Sequence, residues 1–338
     1  ERWRSPRTPC FRTSAFAMAC LLLANVGTTL AQFAGVAAVG ELFGISRYIT
    51  VPLAGLFIGL IILRGNYKSV EKILLVLCLS AFSYVITVFV SKPDWGIILK
   101  DALTPTIKLE ADYMLAVLAV IGTTITPWGI FYLQASVADK GTDLKDYNHT
   151  RLDVMVGSVW GNIISAFIII TTAATLYPKG ILVNSAEEAA LALSPLAGSF
   201  SSILFSVGML GASLLAVSVL PLSTTYAMCE AFGFERGLNR GGKDAPVFYS
   251  IFVGIMLISM LFVLIPGLPL FQLMLLSQSV NAILLPVILI LVLILVNDRN
   301  IMGKWTNKRF ANVLGYALTG LIFIATLALL VGEFLPSA

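Results

Sequence analysis

An apolar segment of membrane length, residues 113–136, is interrupted near its centre by Gly122-Thr123-Thr124-Ile125-Thr126-Pro127-Trp128-Gly129. Proline removes a backbone donor and collides with the preceding helical turn, so a helix breaks where it stands. Within a bilayer the freed backbone groups have no water to turn to. Such a break is tolerated only where protein or a watery cavity surrounds it. Helix breaks at the midplane are where membrane carriers bind ions. This stretch therefore constrains the fold to a multi-helix membrane protein with a polar centre.

The rest of the chain agrees. Of the 338 residues, 58% are hydrophobic and 12% charged, whereas soluble domains carry about 25% charged residues. One span needs about 20 apolar residues. Nine candidates follow: residues 15–45, 48–64, 70–91, 113–136, 152–176, 200–232, 246–265, 269–296 and 310–334. Cys10, Cys20, Cys78 and Cys229 form no CxxC pair, which supports neither a zinc site nor a disulfide framework. The one histidine, His149, lies in a polar loop. No GxSxG or HExxH motif and no intramembrane carboxylate pair occurs, which argues against an enzyme.

Lysine and arginine favour alternate loops. With the N-terminus inside, seventeen fall on the inner side and five on the outer. The positive-inside rule then places the N-terminus in the cytoplasm and the C-terminus outside, in a multi-pass protein of the cell inner (plasma) membrane. The net charge of +4 is a product of this topology, and no nucleic-acid partner is implied. The partner expected from this pattern is the lipid bilayer, with no obligate protein partner. Residues 1–12, polar, arginine-rich and carrying Pro6 and Pro9, read as a disordered or foreign tail.

Several motifs over residues 17–315 occur in the order found in one family. They are Leu30-Ala31-Gln32-Phe33-Ala34-Gly35 with Glu41-Leu42-Phe43-Gly44-Ile45, the break itself, and Gly211-Ala212-Ser213 through Tyr226-Ala227-Met228-Cys229-Glu230-Ala231-Phe232. Leu276-Ser277-Gln278-Ser279-Val280-Asn281 with Leu285-Pro286 and Ile301-Met302-Gly303-Lys304 complete the set. The chain resembles the NRAMP family of divalent-metal transporters. That resemblance implies an all-α polytopic membrane protein with a LeuT-like inverted-repeat fold. Residues 13–338 would form one transporter domain: 13–112 the remainder of the first repeat, 113–296 the second repeat with its broken helix at 123–129, and 310–334 an extra helix. Nine spans are present where the family has eleven. No D-P-G occurs, so the resemblance implies a chain that is N-terminally incomplete, lacking the family's first two helices and half of its metal site.

Departures from the family pattern carry the chemistry. Where the family reads A-x-x-M-P-H, this chain has Thr123, Thr126, Pro127 and Trp128. Thioether sulfur favours transition metals, whereas a hydroxyl is a hard donor. Tryptophan cannot ligate a metal or accept a proton. The acidic positions of the family's third helix read Thr29 and Gln32, neither of which titrates. This pattern resembles the NRAMP-related magnesium transporters, a prokaryotic branch thought to move Mg²⁺, and also Mn²⁺, without proton coupling. Mg²⁺ prefers oxygen and usually keeps several waters.

The metal candidates are Thr123, Thr126, Gln278 and Asn281; Pro127, Trp128 and Gly129 mark the cavity and break; Thr29 and Gln32 are the replaced proton-path positions. Each has a plainer reading. The threonines can satisfy backbone freed by Pro127, Trp128 can face lipid, and Gln278 and Asn281, three apart on one helical face, can join helices. No cofactor is implied. The expected function is uptake of Mg²⁺, with Mn²⁺ as a second substrate, by alternating access. The alternatives are a proton-coupled Mn²⁺/Fe²⁺ transporter, a Na⁺-coupled amino-acid carrier of the same architecture, or a transport-inactive fragment.

Overall fold

A computed structural model describes residues 11–63, 72, 75–76, 78–104, 110–139, 144–237 and 244–334, and every regular element among them is a helix. Among the described residues, seven helical stretches are long and apolar enough to cross a membrane: Ser14–Leu42, Tyr113–Ala135, Tyr147–Lys179, Ala186–Phe232, Pro246–Val263, Leu270–Asn297 and Arg309–Leu327. Of the nine expected spans, the one at 48–64 forms a helix of 17 residues, Arg47–Leu63. The one at 70–91 lies partly outside the described residues. Its described part, Leu79–Ser91, meets a second helix, Trp95–Leu103, at 117°.

That second helix lies where the sequence reads as a loop. Its cause is local. Lys92 ends the first helix in the left-handed region at φ 46°. Asp94 then caps the next, its carboxylate accepting the N–H groups of Gly96 at 2.8 Å and Ile97 at 3.3 Å. At the other end of the chain, the first helix begins at Phe11, two residues inside the tail expected over residues 1–12. The remainder of that tail lies outside the described residues.

The helices that position the site are α1 (Phe11–Leu42), α2 (Arg47–Leu63), α3 (Phe82–Ser91), α4 (Trp95–Leu103), α5 (Ala111–Thr124), α6 (Pro127–Asp139), α7 (Tyr147–Thr175), α8 (Ala186–Ala190), α9 (Ser201–Phe232), α10 (Pro246–Val263), α11 (Leu270–Asn297) and α12 (Arg309–Phe334). Helix α1 is the hub. It packs along α9, α10 and α11, while α5 lies on α11 and α12, α6 lies on α9, and α7 runs beside α3. The main core gathers Phe33 and Ala37 of α1, Ile58 of α2, Val217 of α9 and Phe248 and Phe252 of α10, all buried.

Apolar burial alone does not draw helices together in lipid, because acyl chains are as apolar as leucine. Close contact of small residues and bonds between polar ones decide the packing. Gly35 of α1 shows the first device: a Cβ there would lie 2.6 Å from the Ser213 hydroxyl of α9. The second device is concentrated around the break.

Candidate functional site

The break is narrower than residues 123–129. Thr123 and Thr124 still belong to α5, and Pro127 already opens α6, leaving Ile125 and Thr126 between them. Ile125 turns extended (φ −116°, ψ 94°) while its N–H still closes the last turn on Ile121 at 3.0 Å. In a continuous helix the N–H of residue 127 would bond the carbonyl of Thr123. Proline has no N–H, so that carbonyl is freed. The C-terminal end of α5 carries partial negative charge. A cation is therefore favoured at this end by both the dipole and the open carbonyl.

Thr123 itself is exposed, and its hydroxyl donates to the Val120 carbonyl at 3.1 Å. Thr124 does the same at 2.8 Å. Both hydroxyls bond within α5, to a carbonyl other than that of Thr123, the one Pro127 leaves without its helical donor. Thr126 is half-buried in the break, and its carbonyl accepts the Gly129 N–H at 3.2 Å. Pro127 is buried. Trp128 is half-buried, its ring 6.2 Å from that of Tyr132 one turn further on.

The structure brings α11 directly against the last turn of α5. A Cβ at Gly122 would overlap the Gln278 carbonyl oxygen and lie 2.9 Å from the Ala282 nitrogen. Both obstacles are backbone and cannot swing aside. Gln278 and Asn281 are thus placed beside the break, and they bond one another: Asn281 Nδ2 donates to Gln278 Oε1 at 3.2 Å. Gln278 Nε2 donates to the Ser277 hydroxyl at 3.3 Å. Asn281 is fully buried and its Nδ2 also donates to the Thr28 hydroxyl of α1 at 2.6 Å. Its Oδ1 has no partner among the described residues.

On α1, Thr29 is fully buried and returns its hydroxyl to the Asn25 carbonyl at 2.7 Å. Gln32 is half-buried one turn on. Neither brings a titratable group. Asn25 donates from Nδ2 to Thr224 Oγ1 of α9 at 2.5 Å, and its Oδ1, like that of Asn281, is buried without a partner. Sequence reasoning did not place Asn25, Thr28, Ser277 or Thr224 in the site. A signal was present: Asn25, Thr28, Thr29 and Gln32 follow the i, i+3, i+4, i+7 spacing of one helical face. The site is thus a neutral, oxygen- and amide-rich band across α1, α9 and α11 beside the break. Among the described residues no group of three or more His, Cys, Asp or Glu could hold a metal.

A separate cavity of about 350 Å³ lies at the end of the bundle where α11 begins, lined by Glu41, Arg47, Asn184, Ser185, Glu187 and Leu268 among others. Arg47 Nε meets Glu41 Oε1 at 2.6 Å, and its guanidinium donates to the Leu268 carbonyl at 3.2 Å. Gln278 is roughly 12 Å further along α11 at 1.5 Å per residue, so this cavity is separate from the break.

A family profile described as Natural resistance-associated macrophage protein-like matches residues 11–332. The chain belongs to the Nramp family. Among characterised members, the Divalent metal cation transporter MntH of Caldanaerobacter subterraneus subsp. tengcongensis is 26% identical over 314 residues, covering 89% of this chain and 71% of that protein. The MntH of Clostridium acetobutylicum is 24% identical over 254 residues, 73% of this chain and 56% of its own length. A solved structure, the manganese transporter of Eremococcus coleocola with an aromatic bis-isothiourea compound, superposes with a TM-score of 0.73 at 20% identity, covering 96% of this chain and 72% of that one. The all-helical bundle is thus an Nramp fold.

Proposed function

We propose that this Nramp chain carries divalent metal cations across the membrane by alternating access, with the cation meeting the Thr123 carbonyl where α5 stops. The observation that supports this is the close approach of the last turn of α5 to the α11 backbone at Gln278 and Ala282, which Gly122 allows. Thr126, Gln278 and Asn281 complete the oxygen donors, and Trp128 with Gly129 walls the far side. The names of the relatives point to the same substrate class. No chemical step is needed, so the protein is read as a carrier rather than an enzyme.

The donors at the break are neutral oxygens, which suit a hard, partly hydrated ion, so Mg²⁺ is the preferred substrate and Mn²⁺ a second. Thr29 and Gln32 offer no proton relay, so uptake is uncoupled. Two charges entering across about 100 mV gain roughly 4.6 kcal/mol, which suffices to drive it. The lysine and arginine distribution supports an inner-membrane protein with a cytoplasmic N-terminus and an outside C-terminus. A second reading is proton-coupled Mn²⁺/Fe²⁺ transport, for which the name of the manganese transporter that shares the fold supports the ion.

Purified protein in proteoliposomes, loaded with ion- and pH-sensitive dyes, decides between them. Uptake of Mg²⁺ and Mn²⁺ without internal acidification supports the proposal. Acidification driven by Mn²⁺ supports the second reading, and absence of any divalent flux sinks both.

A further inference from the structure

Far along the chain from the break, the segment joining α11 to α12 is held in one shape. Asn297 and Asn312 bond reciprocally through their amides, at 2.8 and 2.6 Å, and Asn307 Nδ2 adds a bond to Asn312 Oδ1 at 3.2 Å. Asp298 caps the short turn that follows, accepting the Asn300 N–H at 2.8 Å. The same carboxylate oxygen also accepts from Asn300 Nδ2 at 2.9 Å. Arg299, Lys304, Lys308 and Arg309 are all exposed, and none forms an ion pair among the described residues.

This segment also touches the start of α7. The rings of Trp305 and Tyr147 stand 5.3 Å apart, both about half exposed, and the Lys304 ammonium lies 5.5 Å over the Trp305 ring. Tryptophan and tyrosine at a span end mark headgroup depth. Immediately beyond, on α12, Phe310 is 80% and Val313 63% exposed. Unpaired cations, an aromatic pair at headgroup depth and an open apolar strip follow one another along the expected bilayer normal.

We propose that this surface binds one anionic glycerophospholipid, its phosphate on Lys304, Lys308 and Arg309 and its acyl chain along Phe310 and Val313. The apolar strip is what selects a lipid over a free phosphate. By bridging the α11–α12 segment to Tyr147, the lipid also fastens the end of α7, a helix whose other faces are largely exposed. This proposal stands apart from the transport reading, since lipid binding is measured without flux.

The test is native mass spectrometry of the protein released from mixed phosphatidylcholine and phosphatidylglycerol micelles. Wild type is expected to retain phosphatidylglycerol preferentially. The Lys304→Gln, Lys308→Gln, Arg309→Gln variant should lose that preference by roughly fivefold for each charge removed. Lys179→Gln, a basic residue outside this segment, should keep it. Thermal unfolding in phosphatidylcholine alone should be the same for all three proteins, and phosphatidylglycerol should raise it for wild type and Lys179→Gln only. Equal retention by the triple variant, no lipid preference in wild type, or full displacement by millimolar inorganic phosphate would each overturn the proposal.

Discussion

Asn281 of α11 and Thr28 of α1 are joined by a 2.6 Å hydrogen bond across 253 positions of sequence. The same Asn281 amide holds Gln278 Oε1, so α1 sets the orientation of Gln278 through a single buried side chain. Bonds of this kind are worth about 0.6–2 kcal/mol between membrane helices. Asn281→Leu, which keeps the volume and removes both bonds, should lower stability by roughly that amount. Thr28→Val should cost less, because it removes one of the two. The double variant should cost less than the sum of the singles, since the pair acts as a unit. Thermal unfolding in detergent measures all three, and strict additivity would remove the coupling.

Gly122 is the position at which α5 touches the backbone of α11. Gly122→Ala has no side chain to displace and must push the helices apart, at about 1–3 kcal/mol of strain. We expect the apparent affinity for the transported ion to fall, because the Thr123 carbonyl and Gln278 separate. Gly320→Ala, in α12 with open space around it, should leave uptake unchanged. Uptake against ion concentration for the two variants is the measurement. Equal behaviour would show that the contact at Gly122 does not position the site.

What was legible in the residues follows from which physics is local. The break was readable because Pro127 acts on its own helix, and the α12 helix because residues 310–334 are predominantly apolar over the length of a span. The helix Trp95–Leu103 was not read because its start is set by a cap at Asp94 and its apolar run is shorter than a span. The Thr28–Asn281 and Asn25–Thr224 bonds were not legible at all. Their partners are about 200 residues or more apart, and only the packing of α1 among α9 and α11 selects them. The polar face on α1 could be seen as a stripe, but a stripe does not name what it meets.

Arg47 ties the start of α2 to Glu41 at the end of α1 and to the Leu268 carbonyl just before α11. The Glu41 side chain is 40% exposed, so the ion pair itself contributes at most about 1 kcal/mol and is weakened by salt. Arg47→Gln should therefore destabilise the protein slightly, and the difference from wild type should shrink between low and high ionic strength. A difference that does not respond to salt would assign the effect to the Leu268 carbonyl bond instead. Unfolding curves at two salt concentrations separate these outcomes.

Thr126 stands where the resemblance to the family implies a methionine. If its hard hydroxyl is what admits Mg²⁺, then Thr126→Met should restore a soft donor beside the freed Thr123 carbonyl. A thioether binds Mn²⁺ better than Mg²⁺, and its bulk displaces the waters Mg²⁺ prefers to keep. The ratio of Mn²⁺ to Mg²⁺ uptake should rise by about tenfold, a change of roughly 1.4 kcal/mol in relative binding. Most of the shift should come from loss of Mg²⁺ uptake, because the oxygen donors around the break remain. The companion variant Thr126→Val removes the hydroxyl without adding sulfur, and it should weaken both ions rather than exchange one for the other. Competition between the two ions in the same proteoliposomes reads the ratio directly. An unchanged ratio in Thr126→Met would show that residue 126 does not contact the ion and that selectivity lies in the main-chain carbonyl and the α11 amides.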